Sequence, residues 1–357
     1  MPSTARYTVA KQHLLNTATP HQREARLFLR TRQLEDGVAM VVTDLHGSWH
    51  AYQQTLSRFF AHHERGEAHR LIFCGDVVHA RRRGDDDASL KILHDIMRLQ
   101  AEWGQERVML LCGNHEIPHI YGTTLSRGDH EYTHTLEWQL QNAEATAPYK
   151  REEVRRFLRG LPFYVWTKAG VTLTHAGAPP HSELQDTLMN LLTFDHDAVL
   201  RLADDQLKRY DIKHMTKDAN YVRQARQFLA VQNNKDPRLT ELLRGQLISQ
   251  TSEAFGELWS AFFGHNESDS GFTVYLADVE SFLAQTSTFS PYPQAFLVAG
   301  HVTVRAGGYQ WVGGKHLRIA SYAHATPLEK GRYLLFDCGA PVKNAKDLEA
   351  GLRPLFN

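Results

Sequence analysis

The sequence predicts an α/β protein organised around a parallel β-sheet. Three observations carry this. Five short apolar runs, rich in β-branched residues, each stop at a polar residue able to hold a metal. The first three runs alternate with amphipathic helical stretches. A long charged region of helical character separates the fourth run from the fifth. Short apolar runs bounded by glycine read as buried strands, and strand–helix–strand alternation requires parallel crossovers.

In chain order, residues 1–36 form an N-terminal segment expected to be helical over 9–34, rich in Ala, Leu, Gln and Arg and interrupted at Pro20. The first strand, 38–42, leads to Asp44 and His46. The second, 71–74, leads to Gly75 and Asp76; the third, 108–112, leads to Gly113, Asn114, His115 and Glu116. Helices are expected near 49–64 and 86–103. The fourth run, 171–174, leads to His175, and the fifth, 296–299, leads to Gly300 and His301. In parallel sheets the functional loops lie at the carboxyl ends of strands, so all five endings can meet at one edge. Residues 181–265 are expected to be a helical insertion or cap, with breaks at Asp204-Asp205, Asp211 and Asn233 to Asp236. Strand character returns at 272–275, 317–319 and 333–336. The main domain would then span 37–345, with 346–357 as a C-terminal tail.

Lys+Arg and Asp+Glu both total 40 in 357 residues, so the net charge is zero. That argues against an electrostatic hold on nucleic acid or an anionic membrane. The three cysteines, Cys74, Cys112 and Cys338, form no CxxC pair, and buried reduced thiols are expected. The polar N-terminus has no apolar signal segment, and no stretch is long and apolar enough to span a membrane. A cytoplasmic location is the expectation.

Taken singly, an Asp or Asn after a strand is usually a turn former or helix N-cap. With 21 histidines in the chain, several must be ordinary. The joint pattern is different. Asp44 and Asp76 offer anionic oxygens, His46, His175 and His301 offer imidazoles, and Asn114 offers an amide oxygen. Such a mixed set suits Mn, Fe, Zn or Co. Six ligands exceed a single zinc site and serve two metals if one carboxylate bridges.

These motifs resemble the calcineurin-like metallophosphoesterases, closest to their phosphoprotein phosphatase branch, in its bacterial variants. The resemblance rests on residues 43–47, 75–79, 113–116, 174–177 and 300–302. It extends to 157–162, 258–260, 269–272 and Gly308-Tyr309, and covers about 38–340. It implies a two-sheet αββα sandwich with helical insertions and two divalent ions, manganese first, with iron or zinc as alternatives. By resemblance, Asp44 and His46 bind the first metal, Asn114, His175 and His301 the second, and Asp76 bridges. His115 is the general acid, and Glu116 orients the loop. The implied substrate is a phosphorylated protein or small molecule.

The second motif departs from the family. His79 stands where the family has the aspartate that partners the acid histidine. Ala80 replaces a phosphate-gripping arginine, and Ser270 replaces a second. Arg81, Arg82 and Arg83 follow at once and either restore the guanidinium or form a solvated basic loop. The sequence therefore leaves three readings open. They are a protein-phosphatase-like phosphomonoesterase, a nucleotide or dinucleoside-polyphosphate hydrolase, and a metal-binding pseudophosphatase.

Overall fold

Both faces of the central strands are apolar, and the chain buries them in two stacked sheets covered by helices. The computed structural model describes residues 29–143, 147–181, 185–215, 217–233, 235–263, 265–305 and 307–356. The chain runs β1 (Thr31–Leu34), β2 (Val38–Val42), α1 (Trp49–Glu64), β3 (Arg70–Phe73), α2 (Ser89–Trp103), β4 (Val108–Leu110) and α3 (Ile117–Tyr121). A small hairpin, β5 (Ser126–Arg127) and β6 (His130–Glu131), precedes α4 (Thr133–Asn142), α5 (Arg151–Arg159), β7 (Tyr164–Thr167) and β8 (Val171–Leu173). Eight helices follow among the described residues: α6 (Gln185–Leu192), α7 (His196–Leu207), α8 (Ile212–Met215), α9 (Ala219–Leu229), α10 (Arg238–Thr251), α11 (Glu253–Phe263), α12 (Glu267–Ser270) and α13 (Phe272–Phe289). The chain closes with β9 (Phe296–Ala299), β10 (Tyr309–Val312), β11 (His316–Ile319), β12 (Arg332–Asp337), α14 (Ala345–Glu349) and β13 (Leu352–Pro354).

One sheet has the order β13-β12-β2-β3-β4 and the other β1-β7-β8-β9-β11-β10. Strands β2, β3 and β4 are parallel, as are β8, β9 and β11. Side chains alternate across each strand. Ala39, Val41, Ile72 and Met109 therefore face Val171, Leu173, Val298 and Leu317 between the sheets. Met40, Val42, Leu71 and Phe73 face outward, under Phe59 of α1 and Leu93 and Ile96 of α2. The result is an αββα sandwich, with a satellite core of Tyr221, Leu229, Leu239 and Leu243 joining α9 to α10. Among the described residues, no helix is long and apolar enough to cross a membrane.

Three local expectations are corrected. Residues 9–28 of the expected helix lie outside the described residues, but Thr31–Leu34 is strand β1, parallel to β7. Its Leu34 reaches the core between the sheets, where a strand edge was open. The run 272–275 is the first turn of α13, not a strand. Tyr275, Val279, Phe282, Leu283 and Thr286 are buried at helical spacing, and a four-residue window cannot distinguish the two periods. The segment after 345 is not a loose tail, because β13 pairs with β12 at Leu334↔Leu352 and extends the sheet.

Candidate metal centre and active site

The expected ligands come from five strand ends, but these belong to both sheets. Asp44 and His46 follow β2, Asp76 follows β3 and Asn114 follows β4; His175 follows β8 and His301 follows β9. The loops are laced by backbone bonds: His46 N–H donates to the Asp76 carbonyl at 2.9 Å, and Gly47 N–H to the Val77 carbonyl at 2.9 Å. The φ angles are 50° at Asp44, 44° at His46, 51° at Asp76 and 66° at His301, all in the left-handed region. Such angles are costly for non-glycine residues and concentrate at functional sites. Only glycine fits at 75, where a Cβ would lie 2.7 Å from Gly113 Cα and 2.8 Å from His175 Nδ1. At Gly300 a Cβ would collide with the Asp44 carboxylate.

The side chains form contiguous groups. Asp44, His46 and His324 make one, and Asp76, His175 and His301 another; Asp76 also groups with His46 and His115. Asp76 Oδ2 lies 3.6 Å from His46 Nε2 and 3.4 Å from His175 Nε2. Asn114 Oδ1 lies 2.7 Å from His175 Nε2. Backbone carbonyls orient the imidazoles. His46 Nδ1 donates to the His79 carbonyl at 3.2 Å, and His175 Nδ1 to the Cys74 carbonyl at 2.8 Å. His301 is held by the Phe263 carbonyl. Metal-binding histidines are commonly fixed in this way through their second nitrogen.

The donor set fits divalent cations. His46 Nε2 is buried and has no hydrogen-bond partner among the described residues. Burial pushes the Asp44 carboxyl up to about 7. The Asp76 carboxyl also rises well above its ordinary range, through burial and then the Glu116 and Asp44 charges. Burial lowers His46 and His301 to about 4, so both imidazoles are neutral and able to coordinate. A bound cation would offset the cost of ionising the two carboxyls.

His324 escaped the sequence reading. It lies 3.5 Å from Asp44 Oδ1 through Nε2, and its ring centroid is 5.5 Å from that of His46. It repeats the pattern of a polar residue after an apolar strand, here β11, but sits several residues beyond the strand end.

His115 is at the site, with Nε2 4.0 Å from Asp76 Oδ2 and its backbone N–H donating to Asp76 Oδ1 at 2.9 Å. Its Nδ1 meets His79 Nδ1 at 2.9 Å. The Glu116 carboxylate accepts the backbone N–H groups of Asp76, Val77 and Gly113.

The arginine run divides. Arg81 is half-buried; burial and the neighbouring histidines lower the His46 and His324 pKa values, and the Arg81 charge adds to this. Arg82 and Arg83 are exposed. Ala80 is buried, and its N–H donates to Asp87. The Ser270 hydroxyl donates to the Asn266 carbonyl at 2.9 Å, within its own short helix.

A family model for calcineurin-like phosphoesterases matches residues 38–269, more than half the chain, and the protein belongs to that family. It is therefore a hydrolase of phosphoesters, from a family that uses divalent metals. Among solved structures, the chain is similar to a cold-active protein-tyrosine phosphatase from a psychrophilic Shewanella. That match has 16% identity and a TM-score of 0.41, covering 87% of this chain and 78% of that one. It is also similar to a protein serine/threonine phosphatase from Saccharomyces cerevisiae, with 14% identity and a TM-score of 0.44, covering 92% and 88%. No curated protein sequence matches the chain.

Proposed function

We propose that the protein hydrolyses phosphomonoesters at a two-cation site, in the manner of a protein serine/threonine phosphatase. One observation carries this: Asp76 Oδ2 stands between His46 Nε2 at 3.6 Å and His175 Nε2 at 3.4 Å, with His115 Nε2 at 4.0 Å. A carboxylate so placed serves both halves of a ligand set beside an acid. Asp44, His46, His324 and Asp76 would hold one cation, and Asp76, Asn114, His175 and His301 the other. Manganese is the first choice, with iron or zinc as alternatives. When bound, the cations supply Lewis-acid activation of water and of the phosphoryl group. His115 donates the proton that the leaving oxygen needs, from Nε2. Arg81 supplies the guanidinium for the phosphoryl oxygens. The substrate is a phosphorylated protein or small molecule. Cys74, Cys112 and Cys338 are buried thiols, which supports a reducing, cytoplasmic setting.

The test is a turnover screen of the manganese-loaded protein on a phosphoserine peptide, para-nitrophenyl phosphate, its bis-ester and a dinucleoside polyphosphate. Preference for the monoesters supports the proposal. Preference for the bis-ester or the polyphosphate transfers the site to nucleotide hydrolysis. No turnover with metals bound assigns it to a pseudophosphatase.

A further inference from the structure

His79 is one link in a buried chain. Its Nδ1 meets His115 Nδ1 at 2.9 Å, and its Nε2 meets His119 Nε2 at 2.6 Å. His119 Nδ1 in turn meets Glu137 Oε1 at 2.9 Å. His79, His119 and Glu137 are each buried to within 1% of complete. The ring of Tyr132 stacks on His79 and packs edge-on against His115. Beyond Glu137, Arg151 bonds both Glu137 and Glu241, and Arg155 bonds Glu241 and the carbonyls of His119 and Ile120. Two carboxylates thus face two guanidiniums, and α3, α4, α5 and α10 hold the end of the chain rigid.

Each nitrogen–nitrogen contact needs one hydrogen, no more and no fewer. An ionised carboxylate accepts only, so His119 carries a hydrogen on Nδ1. With all three rings neutral, His119 Nε2 accepts from His79 Nε2, and His79 Nδ1 accepts from His115 Nδ1. His115 Nε2 is then left bare toward the metal site. Adding one proton at that nitrogen shifts both bridging hydrogens along the chain. His115 then bears its hydrogen on Nε2, His79 on Nδ1, and His119 on both nitrogens.

We infer that Glu137, acting through His119 and His79, fixes which nitrogen of His115 carries its hydrogen. This rests on the reading of His115 as the general acid. Glu137, His119 and His79 are positioning residues, since none touches the reacting atoms. In the acid step, His115 Nε2 gives its proton to the leaving oxygen. His115 Nδ1 takes the proton of His79 Nδ1, and His79 Nε2 takes that of His119 Nε2. His119 ends neutral, still donating from Nδ1 to Glu137, and one proton has left the chain. The device replaces the single carboxylate that the family resemblance sets beside the acid.

The wiring is read directly by nitrogen-15 NMR of histidine-labelled protein loaded with diamagnetic zinc. His119 should carry a hydrogen on Nδ1, and His79 and His115 should carry theirs on unlike nitrogens. A bare Nδ1 on His119, like nitrogens on His79 and His115, or an imidazolium at His115 would overturn the inference. Kinetics give an independent reading. Glu137→Gln and His119→Gln should lower kcat for an alkyl phosphate by roughly tenfold or more. With para-nitrophenyl phosphate, whose leaving group scarcely needs a proton, the loss should stay within about threefold. KM and metal content should not change. His79→Asp should restore alkyl phosphate turnover to His119→Gln, because a carboxylate then adjoins His115 directly. Equal losses on both esters, or no rescue, would show a merely structural role. If the wild-type protein turns over no phosphoester, the functional reading fails, while the NMR pattern still decides the wiring.

Discussion

The Glu116 carboxylate grips the backbone of Asp76, taking its N–H at 2.9 Å through Oε2. The same oxygen takes Gly113 N–H at 2.8 Å, and Oε1 takes Val77 N–H at 3.0 Å. The loops after β3 and β4 are therefore tied by an acceptor whose two oxygens both face donors. Glu116→Gln turns one oxygen into a donor against a donor. It should cost about 1–3 kcal/mol of stability in urea unfolding and weaken metal retention. Unchanged stability and metal content would reassign Glu116.

Metal content should approach two ions per chain after reconstitution with manganese or zinc, counted by elemental analysis. His175→Ala should remove one ion, whereas Asp76→Asn should disturb both, because Asp76 Oδ2 faces each half of the set. Chelation should abolish turnover, and manganese should restore it.

His324→Gln should weaken one ion by about tenfold or more while leaving the other, since His324 groups with Asp44 and His46 only. Titration of the metal-free protein reads this as a split between two affinities. Two unchanged affinities would remove His324 from the ligand set.

Arg81→Ala should raise KM for a phosphomonoester by about tenfold, the size of one charge-assisted contact. Arg82→Ala and Arg83→Ala should stay within about twofold, because exposed charges contribute little. Equal effects at all three positions would indicate general electrostatic attraction.

Glu137 gives a pH dependence of stability. Burial opposes its ionisation, but Arg151 and then the other partners outweigh that and hold its carboxyl down to about 2, from 4.5. The folded pKa is below the unfolded one, so its contribution is complete above about 4.5 and is lost as pH falls toward 2. The stability advantage of the native protein over Glu137→Gln should shrink by about 3 kcal/mol across that window. Denaturant unfolding at pH 6 and at low pH measures it, and a constant difference would contradict it.

Much of this was legible because strand ends concentrate the chemistry. Val38 to Val42 is apolar on both faces, so the strand shows as a run, and the polar break at Asp44 marks the edge where the site lies. The same logic exposed Asp76, Asn114, His175 and His301. It could not reveal that β8 and β9 sit in a second sheet, since a buried run looks alike in either; only the family resemblance supplied that. Strands β1 and β13 were hidden because each is short and gains its place from long-range pairing with β7 or β12. His119 and Glu137 belong to no motif, and their role exists only through contacts made across α3 and α4.

The two-sheet origin of the ligands sets an order of assembly. His301 N–H donates to the Asp44 carboxylate across 257 residues of chain. While the chain is being made, Asp44, His46, Asp76 and Asn114 can come together on the first sheet long before β9 exists. A chain truncated before β9 should therefore hold metal weakly through an incomplete set, and the complete centre can close only when the last strands dock. On the proposed ligand set, metal capture should then act as a terminal latch on the finished sandwich rather than as a seed for its folding.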